Sequence, residues 1–441
     1  MAPADVKKEG SSFDLPIALG LLAASDQINP ELLEDFLVVG ELALDGGLRR
    51  VNGILPIASM MRNDGIKKII LPAENADEAA LVTGIEIYRA ESLNEAVDII
   101  RAEKLFSPYQ PPEDQDFRCE YDVDFADVKG QEAVKRALEV AAAGGHNLLM
   151  IGPPGSGKTM LAKRMPTILP VMTKEEALEV TRIYSVTGML PPGKSLITER
   201  PFRSPHHSAS RPGLVGGGMF PRPGEVSLAH RGVLFLDELP EFDRNVLEVL
   251  RQPIEDRKVT ISRANQTITF PASFMMIASM NPCPCGFASD PVKECTCSQG
   301  QIKRYLMKIS GPLMDRIDIH IEVPRLKYDD LSSYRPGEPS SDIRKRVEAA
   351  RMRQLNRFKG KKIFCNSDMN SRMLKEYCKI SDDSKSLMKA AIERLGLSAR
   401  AHDRILKLAR TIADIDGVDE ITTGHIAEAI QYRSLDRTGW I

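Results

Sequence analysis

Apolar residues along this chain fall into short solid runs and into spaced sets, and the two kinds alternate. Solid runs suit strands buried on both faces, while sets spaced three and four apart suit one face of a helix. Residues 13–25 (FDLPIALGLLAAS), 52–65 (NGILPIASMMRNDG) and 91–103 (ESLNEAVDIIRAE) predict helices. In the last of these Ser92 is the N-cap, and Leu93, Ala96, Val97 and Ile100 share one side. Residues 33–44 (LEDFLVVGELAL) predict a pair of strands, and residues 67–72 (KKIILP) a short buried one. Further on, residues 131–142 read as an Ala-rich helix stopped by Gly144 and Gly145, and residues 146–151 (HNLLMI) as a buried strand. Thr173 caps a helix over residues 174–185. Gly188 to Arg231 turns to Gly, Pro, His and Ser and predicts a long loop, of the kind that is usually functional or disordered. Val233 to Leu236, residues 273–281 (SFMMIASMN) and residues 318–323 (DIHIEV) are further strands, and residues 258–263 and 266–272 alternate like a hairpin. Residues 325–342 are polar and Pro-rich, and helices follow to the end. Among them Leu387, Met388, Ala391, Ile392 and Leu395 form one face, closed by Gly396. The fold class is α/β with a small helical bundle at the C-terminal end.

Chemistry concentrates where strand 146–151 stops. There GPPGSGKT, made of Gly152, Pro153, Pro154, Gly155, Ser156, Gly157, Lys158 and Thr159, leads into a helix that begins MLAKRM. Strand, glycine-rich turn and helix is the setting in which this motif binds phosphate. Glycines let backbone N–H groups turn inward, and the helix N-terminus adds the positive end of its dipole. Lys158 is expected to reach the β- and γ-phosphates of ATP, and Thr159 to ligate Mg²⁺. Strand 233–236 ends on Asp237 and Glu238, which suits a second phosphate-site element: Asp237 holding Mg²⁺ through water and Glu238 polarising the attacking water. The strand that ends on Asn281 brings an amide able to orient that water.

Composition changes little of this. Net charge is -2 and mean composition is ordinary for a globular protein, so any nucleic-acid signal has to be local. Residues 343–362 carry nine basic residues and one acid, which is such a signal, although a solvated basic face is the plainer reading. No apolar run is long enough to span a membrane, and the N-terminus lacks an apolar signal region. A cytoplasmic protein with no membrane partner is expected. The seven cysteines suit reduced thiols or a metal better than a disulfide framework. Cys283, Cys285, Cys295 and Cys297 form two C-x-C pairs, and four thiolates suit a structural Zn²⁺. His206 and His207 are adjacent in the long loop, and adjacent histidines alone are expected to be solvated rather than ligands.

Two resemblances extend the reading. Residues 1–105 resemble the C-terminal half of a Lon-type protease domain, with Ser12 at the nucleophile position. The lysine of that family's Ser–Lys dyad falls on Leu55, so the domain is expected to be proteolytically inactive, since nucleophile and base must occur together. By the same comparison the chain begins inside that fold, and a truncated product or gene is expected. Residues 106–122 then serve as a linker, residues 123–325 as the ATPase core with a helix-2 insert and the Cys-rich loop, and residues 326–441 as a helical lid. RPFRSPHHSAS, PRPGEVSLAHRGVLFLDELPEF, MNPCPCG and LSARAHDRILKLARTIAD together resemble the competence protein M and YifB group of magnesium-chelatase-like AAA+ ATPases. The resemblance implies a parallel sheet flanked by helices and a homo-hexameric ring. It implies that Asn281 is sensor 1, that Arg316 completes a neighbour's site as an arginine finger, and that Arg400 is sensor 2, with Arg404 second. It also implies DNA, single-stranded or branched, as the partner, and a helicase driving branch migration in natural transformation and homologous recombination. A magnesium chelatase motor subunit and a protein-remodelling ATPase are the alternatives.

Overall fold

The computed structural model describes residues 10–102, 106–111, 121–218, 221–263, 266–288, 290–325, 337–361, 363–396 and 398–433. The expected linker and the polar stretch at 325–342 therefore lie partly outside the described residues. Contacts divide the chain into two units, Met1–Arg118 with Met172–Thr198, and Cys119–Val171 with Glu199–Ile441.

The first unit is built on a three-stranded parallel sheet with Lys68–Pro72 in the middle, between Phe36–Val38 and Glu86–Ala90. The middle strand is the most deeply buried, with Ile69, Ile70 and Leu71 fully covered on the two faces of the sheet. Ile70 packs with Leu15, Leu19, Ala96 and Ile100, while Ile69 and Leu71 pack with Ile54, Met61 and Ile87. The expected strand pair in 33–44 does not form. Phe36–Val38 joins the buried middle strand, and Glu41–Leu42 pairs antiparallel with Leu48–Arg49 instead. Phe36–Val38 gains a covered sheet position this way, which an isolated hairpin would not give it.

Helix Lys174–Thr187 follows the P-loop helix in sequence yet belongs to this first unit. Thr173 and Glu176 close its start as a capping box. Its Ala177 and Val180 pack with Leu55 and Leu81. Buried Glu78 accepts the Leu55 N–H at 3.0 Å and the Ser185 hydroxyl. Leu55, the residue that the Lon-type resemblance sets at the lysine position, is fully buried in this apolar cluster.

The second unit centres on a five-stranded, wholly parallel sheet. Its order is Ile319–Glu322, Leu148–Ile151, Met275–Met280, Val233–Leu236, Phe202–Arg203. Solid apolar runs are needed because both faces are covered. Leu148, Met150, Val233, Phe235, Met275 and Ile277 point to one cluster, which also takes in the C-terminal helices. Leu149, Ile151, Leu234, Leu236, Met276 and Ala278 point to the other. Helices Ser340–Arg357, Asp382–Leu395, Ala399–Ile415 and Thr423–Gln431 make up most of the helical region. No helix among the described residues is long and apolar enough to cross a membrane.

The basic stretch lies on Ser340–Arg357 as far as Arg357, with Lys359 and Lys361 beyond the helix and Lys362 outside the described residues, and its arginines are engaged within the unit. Arg344 donates to the Thr167 carbonyl at 2.8 Å, and Arg353 to that of Asp414 at 2.9 Å. Arg346 pairs with Glu139 and Glu338, and Arg357 with the buried Asp414. This helix is a structural ionic seam more than an open cationic face.

Candidate nucleotide site and cysteine cluster

The P-loop leaves the C-terminal end of Leu148–Ile151 at Gly152. A Cβ there would stand 2.2 Å from the Val323 carbonyl oxygen, so the neighbouring strand's exit admits only glycine. Gly155 and Gly157 have φ of 76° and 90°, the left-handed conformation that glycine adopts without strain. Gly157 is the N-cap of helix Lys158–Ile168. Lys158 Nζ donates to the carbonyls of Gly152 at 2.8 Å and Pro153 at 3.0 Å, and to Asn281 Oδ1 at 3.3 Å. Burial lowers the Lys158 pKa, and the charges of Asp237 and Glu238 oppose that shift. Lys158, Asn281 and the P-loop carbonyls thus already form one polar cluster.

Asp237 is organised from three sides. The Thr159 hydroxyl donates to its Oδ2 at 2.7 Å, the Ser279 hydroxyl to Oδ1, and the Glu238 N–H to Oδ1 at 3.1 Å. The expected Mg²⁺ ligands are therefore in contact between the first turn of helix Lys158–Ile168 and the end of strand Val233–Leu236. An oxygen-rich pair beside a glycine cradle fits Mg–ATP. Ser279 was not singled out from the sequence, although a hydroxyl in the apolar run MMIASM, two residues before Asn281, is a readable signal. Glu238 has φ 54° and a side chain 60% exposed, so its carboxylate turns out of the strand line into the open site.

Three arginines behave differently. Arg316 is nearly buried, paired with Glu255 and donating to the Pro312 carbonyl. It borders a cavity of about 390 Å³ that Arg211, Glu248 and Arg251 also line. Arg400 is 65% exposed, 3.6 Å from Asp315. Arg404 is committed to the buried Asp318, which leaves Arg400 as the freer of the two sensor 2 candidates.

The cysteine cluster closes in three dimensions. The sulfurs of Cys283, Cys285, Cys295 and Cys297 all lie within 4.8 Å of one another. Cys283 to Cys285 is 3.3 Å and Cys283 to Cys295 is 3.7 Å. Tetrahedral Zn²⁺ with Zn–S bonds of about 2.3 Å needs sulfurs about 3.8 Å apart, so the donor set fits that metal. A hydrogen bond from the Phe287 backbone is the main cause that brings the Cys285 thiol down to about 5. Gly286, at φ 88°, makes the turn, and a Cβ there would lie 2.6 Å from Pro154. The cluster is thereby packed against the P-loop.

A P-loop and a strand-end Asp–Glu pair, set on a parallel sheet with a helical region after it, define an AAA+ type nucleotide-binding protein. Family models describe the same parts: "Magnesium chelatase, subunit ChlI" matches residues 124–331, its C-terminal model residues 337–433, and "Subunit ChlI of Mg-chelatase" residues 1–75. Competence protein ComM of Haemophilus influenzae is 45% identical over 99% of this chain and 85% of its own length. The YifB protein of Escherichia coli K12 is equally similar, at 45% over 99% and 85%. Lon protease 2 of Bacillus subtilis is 30% identical over 32% of this chain and 26% of its own. The chain belongs to the ComM/YifB family of magnesium-chelatase-like AAA+ proteins.

Proposed function

We propose that the chain is an ATP-hydrolysing motor that works in the cytoplasm as a homo-hexameric ring on DNA. The observation that carries the hydrolytic part is the contact of Thr159 with Asp237 beside the P-loop, with Glu238 turned into the open site. Bound Mg–ATP would supply the scissile anhydride and the metal. Lys158 binds the β- and γ-phosphates, Thr159 and Asp237 hold the metal, Glu238 polarises the attacking water and Asn281 orients it. Arg316 is assigned to a neighbour's site and Arg400 to the phosphates of its own. Zn²⁺ in the cysteine cluster is assigned a structural role.

DNA as the partner is supported by membership in a family with a named competence protein. Branch migration during transformation and homologous recombination is the task assigned. The arginines of Ser340–Arg357, engaged by partners within the unit, add no support, so the surface that meets DNA is sought elsewhere, in the helix-2 insert. The test is ATP turnover with single-stranded DNA, branched DNA, an unfolded protein and a porphyrin-binding partner. Several-fold stimulation by DNA is expected. Stimulation by protein or by the porphyrin-binding partner, with none by DNA, would move the assignment to a remodelling ATPase or a chelatase motor.

A further inference from the structure

Arg316 stands between helix Gly311–Met314 and strand Ile319–Glu322. An arginine that completes a neighbour's site has to carry its guanidinium beyond its own surface. Here the guanidinium is turned inward. The side chain is 8% exposed, Nη1 donates to the Pro312 carbonyl and Nη2 pairs with Glu255. Nε is buried and meets no partner among the described residues. The backbone is fixed as well. The buried Asn147 donates from Nδ2 to the Arg316 carbonyl at 3.0 Å, and two residues on Asp318 is paired with Arg404. Only rotation of the side chain is left to bring the guanidinium out.

Glu255 is the partner able to let go. It lies on helix Arg251–Asp256 with a side chain 54% exposed, so water solvates its carboxylate when the pair opens. Glu248, on the same wall, is already taken by Arg251 at 2.8 Å. The cavity of about 390 Å³ beside the pair gives the guanidinium room to turn without displacing packed atoms.

We propose that Glu255 is a positioning residue that holds Arg316 withdrawn until a phosphate of a neighbour's nucleotide takes its place. One anionic oxygen partner is exchanged for another, so the guanidinium is paired in both poses and no buried charge is left alone. While the pair is closed the arginine is out of reach, and turnover is lowered in proportion to the fraction withdrawn. This role rests on the reading of Arg316 as an arginine finger.

Steady-state ATP turnover of the assembled protein is measured for the wild type, Arg316→Ala, Glu255→Gln, Glu255→Asp and the Arg316→Ala/Glu255→Gln double variant, with ATP binding and thermal melting alongside. Glu255→Ala is carried as a second charge-free variant, so that a folding defect peculiar to the amide does not decide the result. Loss of turnover in Arg316→Ala with ATP binding kept establishes the arginine-finger reading by itself. Glu255→Gln, which removes the charge and keeps the shape, should then raise kcat about threefold with ATP binding unchanged. Glu255→Asp should stay nearer the wild-type rate, because a carboxylate remains to pair with Arg316. The double variant should be as inactive as Arg316→Ala alone, since the effect runs through that arginine. A kcat unchanged or lowered in both charge-free variants, an equal rise in the Gln and Asp variants, or a double variant more active than Arg316→Ala each overturn the proposal while leaving the arginine-finger reading standing. A wild type without turnover, or Arg316→Ala with full turnover, overturns both.

Discussion

At the scale of single residues, Asp318 carries a large electrostatic consequence. It is buried, which opposes its charge, but Arg404 and His146 more than offset that and hold its carboxyl well below the usual range. Its pKa is thus lower folded than unfolded. The resulting stability is present above the ordinary value of 3.8 and is lost as pH falls through the region below it. Asp318→Asn should cost about 3–5 kcal/mol at pH 7, since it leaves Arg404 without its partner. Urea unfolding checks this, and the gap between wild type and variant should narrow as pH drops below about 4. A gap constant with pH would show that the pair contributes packing alone. Other residue roles were legible as motif letters, Lys158 and Thr159 among them. What the letters did not carry was commitment: Arg404 and Arg400 look alike in sequence, and only burial beside Asp318 separates them.

At the scale of elements, the loop from Cys283 to Cys297 is the piece whose loss should be felt elsewhere. Asn281 precedes it by two residues, and Gly286 lies against Pro154 of the P-loop. Purified protein should carry about one equivalent of zinc per chain, given the affinity of four-thiolate sites. Stripping the metal with a chelator should weaken ATP binding as well as loosen the loop. Metal content under half an equivalent by mass spectrometry would remove zinc from the account. Elements also mark where periodicity fails as a guide. Phe202–Arg203 completes the sheet and sets His207 beside Glu238, yet two residues are too few to show a period of two. The strand pair expected over 33–44 split between two sheets, because turn residues near Gly40 do not reveal which partner offers the better-covered face.

At the scale of the whole molecule, the site is incomplete if Arg316 works in trans. Arg316→Ala and Glu238→Gln should each abolish turnover by different routes, loss of charge stabilisation from a neighbour and loss of water activation. Mixed in one ring, some interfaces keep a working Glu238 facing a working Arg316, so partial activity should return. Activity that stays at the level of the separate variants across all mixing ratios would place Arg316 outside the neighbour's site. The pairing of Arg316 with Glu255 then becomes its whole role.

The P-loop, the strand-end carboxylates, the four cysteines and the buried strands were all determined by the linear chain. Each depends on residues close in sequence or on an apolar run that only a two-faced burial explains. The order of the five strands, the grouping of Lys174–Thr187 with the first unit, the pairing of the basic helix's arginines within the second unit and the approach of His207 to Glu238 were decided only in the folded molecule. These depend on partners far apart in the chain, and a charge or an imidazole has the same letter whether it faces water, a carboxylate or another strand.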